Sequence, residues 1–129
     1  RSIDFLLKDS AGGLRDCYVE VKNVTMDRGK GLATFPDSVT SRGTKHLREL
    51  ISMVESGHRA VLFFCVQLTN VERIEVAADI DPVYAQTLTL AISRGVEVMA
   101  LGAKISAEEI VLHKPINCLQ DLPMLERED

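Results

Sequence analysis

Ile3, Phe5 and Leu7 alternate with Ser2, Asp4 and Leu6, a period of two that predicts a strand with Asp4 on the face opposite the apolar triplet. Asp9-Ser10-Ala11-Gly12-Gly13 breaks that pattern. Cys17 to Val24 resumes it, with Tyr18, Glu20 and Lys22 on one face, Cys17, Val19 and Val21 on the other, and a Val and Tyr content that favours a strand. The two segments are expected to pair as a hairpin. From Met26 to Pro36, Gly29 and Gly31 lie among charges and predict a mobile loop, with Asp37 or Ser38 available to cap a helix. That helix is expected from Val39 to Glu55, because Val39, Gly43, Leu47, Leu50, Ile51 and Val54 recur at helical spacing. Ser41, Lys45, Arg48 and Ser52 fall on its other side, Arg42, His46 and Glu49 flank the stripe, and Gly57 ends it.

Arg59 to Leu68 contains the nearly unbroken apolar run Ala60-Val61-Leu62-Phe63-Phe64-Cys65-Val66, which predicts a central strand buried on both faces. Asp81-Pro82 supplies an N-cap and a first-turn proline for a second helix, whose apolar face carries Tyr84, Leu88, Ala91 and Ile92 before Gly95 stops it. Val96 to Leu101 reads as a further strand, and Ser106 to Glu109 as a capping-box turn before a short strand at Ile110 to Leu112. The resulting order, ββαβαβ(β), predicts an α/β domain over residues 1–119: a mixed β-sheet flanked by helices, followed by a loose acidic tail at 120–129.

Composition narrows the function classes. At 129 residues and 46% hydrophobic content the chain suits one domain with its own core, and no apolar run reaches the length of a membrane span. Cys17, Cys65 and Cys118 have no CxxC or metal spacing, and no basic segment leads into an apolar one, so a reducing, cytoplasmic setting is expected. Net charge is −4, but the window Arg28 to Arg48 holds Arg28, Lys30, Arg42, Lys45 and Arg48 against Asp37 alone. That window is either a solvated face or a phosphate-binding one. His46, inside it, is expected to serve structure or capping; His58 and His113 are expected at the surface, and Cys65 in the core.

Candidate chemistry rests on Asp4 in the first strand and Glu20-Val21-Lys22 in the second. If they share a sheet face, Asp4 and Glu20 can hold Mg²⁺ or Mn²⁺, while Lys22 orients or deprotonates a water and offsets charge on a phosphoryl group. The chemistry would be metal-assisted phosphodiester hydrolysis. An acid-x-Lys triplet alone is uninformative, since about one arises by chance in a chain of this composition. Its place in an apolar strand, after an acid in another apolar strand and before a basic helix, gives it weight.

The arrangement Ile3-Asp4-Phe5-Leu6-Leu7 followed by Tyr18-Val19-Glu20-Val21-Lys22-Asn23-Val24 resembles the PD-(D/E)xK nuclease core. Glu20-Val21-Lys22-Asn23-Val24-Thr25, Phe35-Pro36-Asp37-Ser38-Val39-Thr40 and Arg42-Gly43-Thr44-Lys45-His46-Leu47-Arg48-Glu49-Leu50 resemble, more narrowly, the bacterial sugar fermentation stimulation protein A family; Gly57-His58-Arg59-Ala60-Val61 and Gly95-Val96-Glu97-Val98 continue the likeness. The resemblance implies the C-terminal part of a longer protein, without its N-terminal OB-like domain and without the first helix and strand of the nuclease core. It also implies DNA binding without sequence preference and a link to sugar (maltose) metabolism. Asp4, Glu20 and Lys22 match the superfamily's catalytic positions, although no proline precedes Asp4, and Pro36-Asp37 follows the Glu-x-Lys. Two functions are therefore expected to compete: a Mg²⁺- or Mn²⁺-dependent nuclease, and a non-catalytic DNA-binding regulatory module on a nuclease-like fold. In both, Arg42, Lys45 and Arg48 would contact phosphates. Aromatic residues are only 5%, with no Trp, which disfavours stacking of single-stranded bases. The resemblance sets DNA ahead of RNA as the partner. No membrane partner is expected, and the oligomeric state stays open.

Overall fold

The computed structural model describes residues 5–7, 16–105, 110–115 and 117–118, with side chains described over 16–102. In chain order the elements are β1 (Phe5–Leu7), β2 (Cys17–Val24), β3 (Met26–Gly29), β4 (Leu32–Phe35), α1 (Ser41–Glu55), β5 (Arg59–Val66), β6 (Arg73–Val76), α2 (Pro82–Ser93), β7 (Glu97–Ile105), β8 (Ile110–Pro115) and β9 (Asn117–Cys118). One sheet runs β1-β2-β5-β7-β8 and a second runs β3-β4-β6-β9. In the first, β2, β5 and β7 are parallel, whereas β1 and β8 pair antiparallel at the edges. The α/β class, the mixed sheet and the central place of β5 follow the hydrophobic pattern. Neither helix is long and apolar enough to cross a membrane.

Parallel register places Tyr18, Glu20, Lys22 and Val24 beside Ala60, Leu62, Phe64 and Val66. Alternation along a strand puts all eight on one face. Ala60, Leu62, Phe64 and Val66 on that face pack in one core with Leu47, Leu50 and Ile51 of α1 and Tyr84, Leu88 and Ala91 of α2. The other face of β5 is also apolar, with Val61 and Cys65 buried, which explains its uninterrupted hydrophobic run. Glu20 and Lys22 therefore belong to the helix-covered face.

The segment expected to be a mobile loop is a β-hairpin. Gly29, Lys30 and Gly31 all take positive φ (89°, 55° and 81°), so the glycines that resemble loop punctuation form its turn. The register Leu32↔Arg73 to Phe35↔Val76 joins β4 to β6, a pairing between segments about forty positions apart that local periodicity does not reveal. Arg28 fixes the hairpin by donating to both carboxylate oxygens of Asp79, at 3.1 and 3.0 Å, and to Thr34 Oγ1 at 2.9 Å. Arg28 holds the Asp79 carboxyl below its ordinary range, chiefly through these hydrogen bonds.

The cap of α1 also differs from expectation. Thr40, rather than Asp37 or Ser38, is the N-cap, its Oγ1 accepting from the Gly43 N–H at 2.8 Å. Val39, assigned to the apolar stripe, precedes the cap and is 74% exposed. Asp81 caps α2 as expected, and it does more. Its Oδ1 accepts from the Tyr84 N–H at 3.0 Å, and its Oδ2 from the Thr40 N–H at 2.8 Å. One buried carboxylate thus ties together the starting ends of both helices, and these amides, Thr40 first, hold its pKa low against the opposing effect of burial. Gly43 permits the close approach: a Cβ there would lie 3.1 Å from the Tyr84 ring and 2.9 Å from Thr40 Cγ2. The expected 106–109 turn and 120–129 tail lie outside the described residues.

Candidate functional site

Two features of the fold bring the site together. The alternation of β2 aims Glu20 and Lys22 at α1, and the Thr40 cap sets the helical phase that turns His46 down onto them. Lys22 Nζ stands 2.8 Å from His46 Nδ1 and 3.3 Å from Glu20 Oε2, and His46 Nδ1 is 3.0 Å from the same Oε2. The three side chains are 15%, 5% and 3% exposed for Lys22, His46 and Glu20. Lys22 thus forms the solvent edge of an otherwise buried cluster. Tyr18 and Val24, on the same face of β2, close its two ends, Tyr18 with its ring edge-on to His58.

The three polar atoms lie within hydrogen-bonding distance of one another, and the tautomer of the His46 ring sets which of them donates. With Nδ1 unprotonated, Lys22 donates to both Nδ1 and Oε2; with Nδ1 protonated, Lys22 and His46 both donate to Oε2. Charges so placed are a weak means of stabilising a fold, because desolvation takes back much of the attraction and apolar residues pack the same space as well. Their burial under a helix, with one charged edge open to solvent, fits chemistry better than packing.

The sequence-predicted residues fare unequally. Glu20 and Lys22 come together; Asp4 lies outside the described residues. Arg42, Lys45 and Arg48 are all exposed on α1. At about 100° per residue, Arg42 points within about 40° of His46, Lys45 diverges by about 100° and Arg48 by about 160°. Arg42 therefore stands on the site's side of the helix, while Arg48 faces nearly the opposite way. His46, expected to flank the stripe in a structural role, is a buried member of the cluster. Its signal was its phase, four residues before Leu50 and three after Gly43, inside the buried arc rather than beside it. His58 is half-buried against Tyr18, not a surface residue, and burial raises the Cys65 thiol pKa, consistent with its core position. The side chains of His113 and Cys118 lie outside those described.

Known proteins supply the context. The family model for the sugar fermentation stimulation protein RE domain matches residues 1–109. A sugar fermentation stimulation protein homolog from Ruegeria sp. (strain TM1040) is 56% identical over 108 residues, covering 84% of this chain and 46% of the relative. One from Pseudoalteromonas atlantica is 49% identical over 124 residues, covering 95% of this chain and 49% of that relative. The chain thus spans about half the length of the curated relatives it matches. Among solved structures, SfsA of Pyrococcus furiosus in complex with Ca²⁺ superposes with a TM-score of 0.79 at 32% identity, over 90% of this chain and 49% of that one. With its mixed α/β architecture and the family match over most of its length, the chain belongs to the sugar fermentation stimulation protein family and carries its nuclease-like fold.

Proposed function

We propose that this chain is the part of a DNA-binding protein that holds phosphates without sequence preference and hydrolyses a phosphodiester at the Glu20–Lys22–His46 cluster with the help of Mg²⁺ or Mn²⁺. The observation that carries the reading is the buried Oε2–Nζ–Nδ1 triangle, with contacts of 3.3, 2.8 and 3.0 Å and its charged edge at Lys22. A role in sugar (maltose) metabolism belongs to the same proposal and rests on the family's name.

The donor set is tested by its chemistry. Among the described residues no group of three or more acidic, His or Cys side chains forms a metal-holding cluster. Glu20 and His46 supply one carboxylate and one imidazole, a set compatible with a divalent cation that completes its shell with water. Asp4 is the further candidate: it precedes Phe5 in the chain as Glu20 follows Val19, and Phe5 pairs with Val19. The Ca²⁺ complex of the Pyrococcus furiosus protein supports a divalent cation on this fold. When bound, the cation polarises a phosphoryl oxygen and makes a water more acidic. Lys22 then offsets negative charge gathering on the phosphoryl group and orients the attacking water. Arg42, on the site's side of α1, holds a neighbouring phosphate, and Lys45 extends the contact around the helix, whereas Arg48 faces away from it.

The second reading, a DNA-binding regulatory module without hydrolysis, draws on the same exposed Arg42, Lys45 and Arg48. End-labelled single- and double-stranded DNA and RNA, incubated with Mg²⁺, Mn²⁺ or chelator, separate the two. Metal-dependent cleavage that disappears in Lys22→Ala is the expected result. Salt-sensitive binding with no cleavage under either metal would overturn hydrolysis and leave the regulatory module.

A further inference from the structure

α1 and α2 pack on the same face of the sheet, yet only one of them carries charge. α1 holds Arg42, Lys45, Arg48, Glu49 and Glu55, as the outer side of a surface helix ordinarily does. The twelve residues of α2, Pro82–Ser93, include no acidic or basic side chain, in a chain with 26% charged residues. The exposed side of α2 consists of Pro82, Val83, Gln86, Thr89, Leu90 and Ser93, with Val83 53% and Leu90 37% exposed. Seven positions apart, these two apolar residues stand within about 20° of one line along the helix. Val39, 74% exposed, adds apolar surface at the Val83 end, because the next residue, Thr40, is hydrogen-bonded to the α2 cap Asp81.

We propose that α2 is a self-association surface, on which a second copy of this chain docks with its own α2 antiparallel about a two-fold axis. The distribution of charge selects that occupant. An uncharged strip gives a phosphate backbone nothing to bind, and it meets its own copy without repulsion. With the axis crossing α2 between Gln86 and Thr87, position 83 of one copy meets position 90 of the other, so Val83 packs on the partner's Leu90 and the reverse. The same axis brings Arg94, the C-cap of α2 and about 40° from Leu90 around the helix, to the opening end of the partner's α2, beside the partner's Asp79. The side chains of Arg94 and Asp79 are 50% and 64% exposed, and each is already paired within its own chain, with Glu55 and Arg28. Across the axis the two pairs join into a network of alternating sign. A parallel arrangement would instead set arginine against arginine and aspartate against aspartate. The opposed helix dipoles favour the antiparallel choice as well. A contact one helix face wide, on a helix about 18 Å long, falls at the low end of specific interfaces, about 1,000 Å² or less in total. The dimer is therefore reversible, with a dissociation constant on the order of tens of micromolar. Each copy brings its own Glu20–Lys22–His46 cluster, so the dimer offers a nucleic acid two contacts at once.

Sedimentation velocity over about 1–300 μM protein tests this without recourse to activity. Wild type should pass reversibly from monomer to dimer across that range. Leu90→Glu and Val83→Lys, each at an exposed position, should weaken association by about tenfold or more, because each sets a charge against an apolar side chain of the partner. Val83→Lys combined with Leu90→Glu should recover most of the loss, since across the antiparallel axis the introduced ammonium meets the introduced carboxylate. Amide hydrogen exchange supplies a reading that needs no variant: protection over residues 82–94 of wild type should rise with concentration. A wild-type chain that stays monomeric throughout, or exchange in α2 that does not change with concentration, would overturn the proposal. So would a dimer that Leu90→Glu leaves at wild-type strength. A double variant no better than the single ones would overturn the antiparallel arrangement.

Discussion

Replacing the buried cluster by apolar residues should leave a more stable protein without its chemistry. The Lys22–Glu20 contact of 3.3 Å corresponds to a gross attraction of about 5 kcal/mol at an effective dielectric of about 20. Desolvating two ions costs several kcal/mol each, so the net contribution of the intact pair is small. Removing one partner is different, because Glu20, at 3% side-chain exposure, then keeps a buried charge without its ammonium. Lys22→Met alone should therefore destabilise by about 3 kcal/mol. The triple variant Glu20→Met, Lys22→Met, His46→Leu removes every charge at similar volume and should match wild type or exceed it by about 1–4 kcal/mol. Urea unfolding followed by circular dichroism, with the slope of the transition unchanged, reads these differences as midpoint shifts. If the triple variant were less stable than Lys22→Met, the cluster would be a structural keystone, and the argument that its burial signals chemistry would fail.

Three further expectations concern the scaffold and the basic helix. The Asp81 carboxyl has a folded pKa below its unfolded value, so its stabilising effect is complete above the unfolded carboxylate pKa of about 3.9 and disappears as pH falls through the lower folded value. Urea midpoints of wild type and Asp81→Asn should accordingly differ most near neutral pH and converge in acid; a difference independent of pH would contradict the double-capping role. Gly43→Ala should destabilise by about 1–3 kcal/mol, measured by thermal unfolding, because its Cβ would lie 2.9 Å from Thr40 Cγ2 and 3.1 Å from Tyr84. A gain in stability there would mean that α1 and α2 have room to separate. Arg42→Ala should lower the salt slope of DNA binding by about 0.9, one phosphate contact, in fluorescence anisotropy titrations over a salt series. An unchanged slope would remove Arg42 from the DNA contact.

Much of this was legible in the order of residues, for identifiable reasons. β5 announced itself because both of its faces are buried, and α2 because Asp81-Pro82 and Gly95 bracket it. The strand pair β1–β2 and the common face of Glu20 and Lys22 followed from alternation. β3, β4 and β6 escaped because they are four residues each and are stabilised by pairing with distant segments rather than by their own pattern. Thr40 prevailed over Asp37 and Ser38 because the cap is set by where α1 meets Asp81, a tertiary contact. His46 was placed beside the apolar stripe because it is polar; at about 100° per residue it lies about 40° from Leu50, at one edge of the buried set Gly43, His46, Leu47, Leu50 and Ile51.

The most direct test of the central claim is anomalous diffraction from crystals of the protein grown with Mn²⁺ and a short DNA duplex. The account predicts a manganese peak on the Glu20 carboxylate, with Lys22 turned toward a phosphate and Arg42 beside the next one. Manganese and phosphates located away from the Glu20–Lys22–His46 cluster would contradict it.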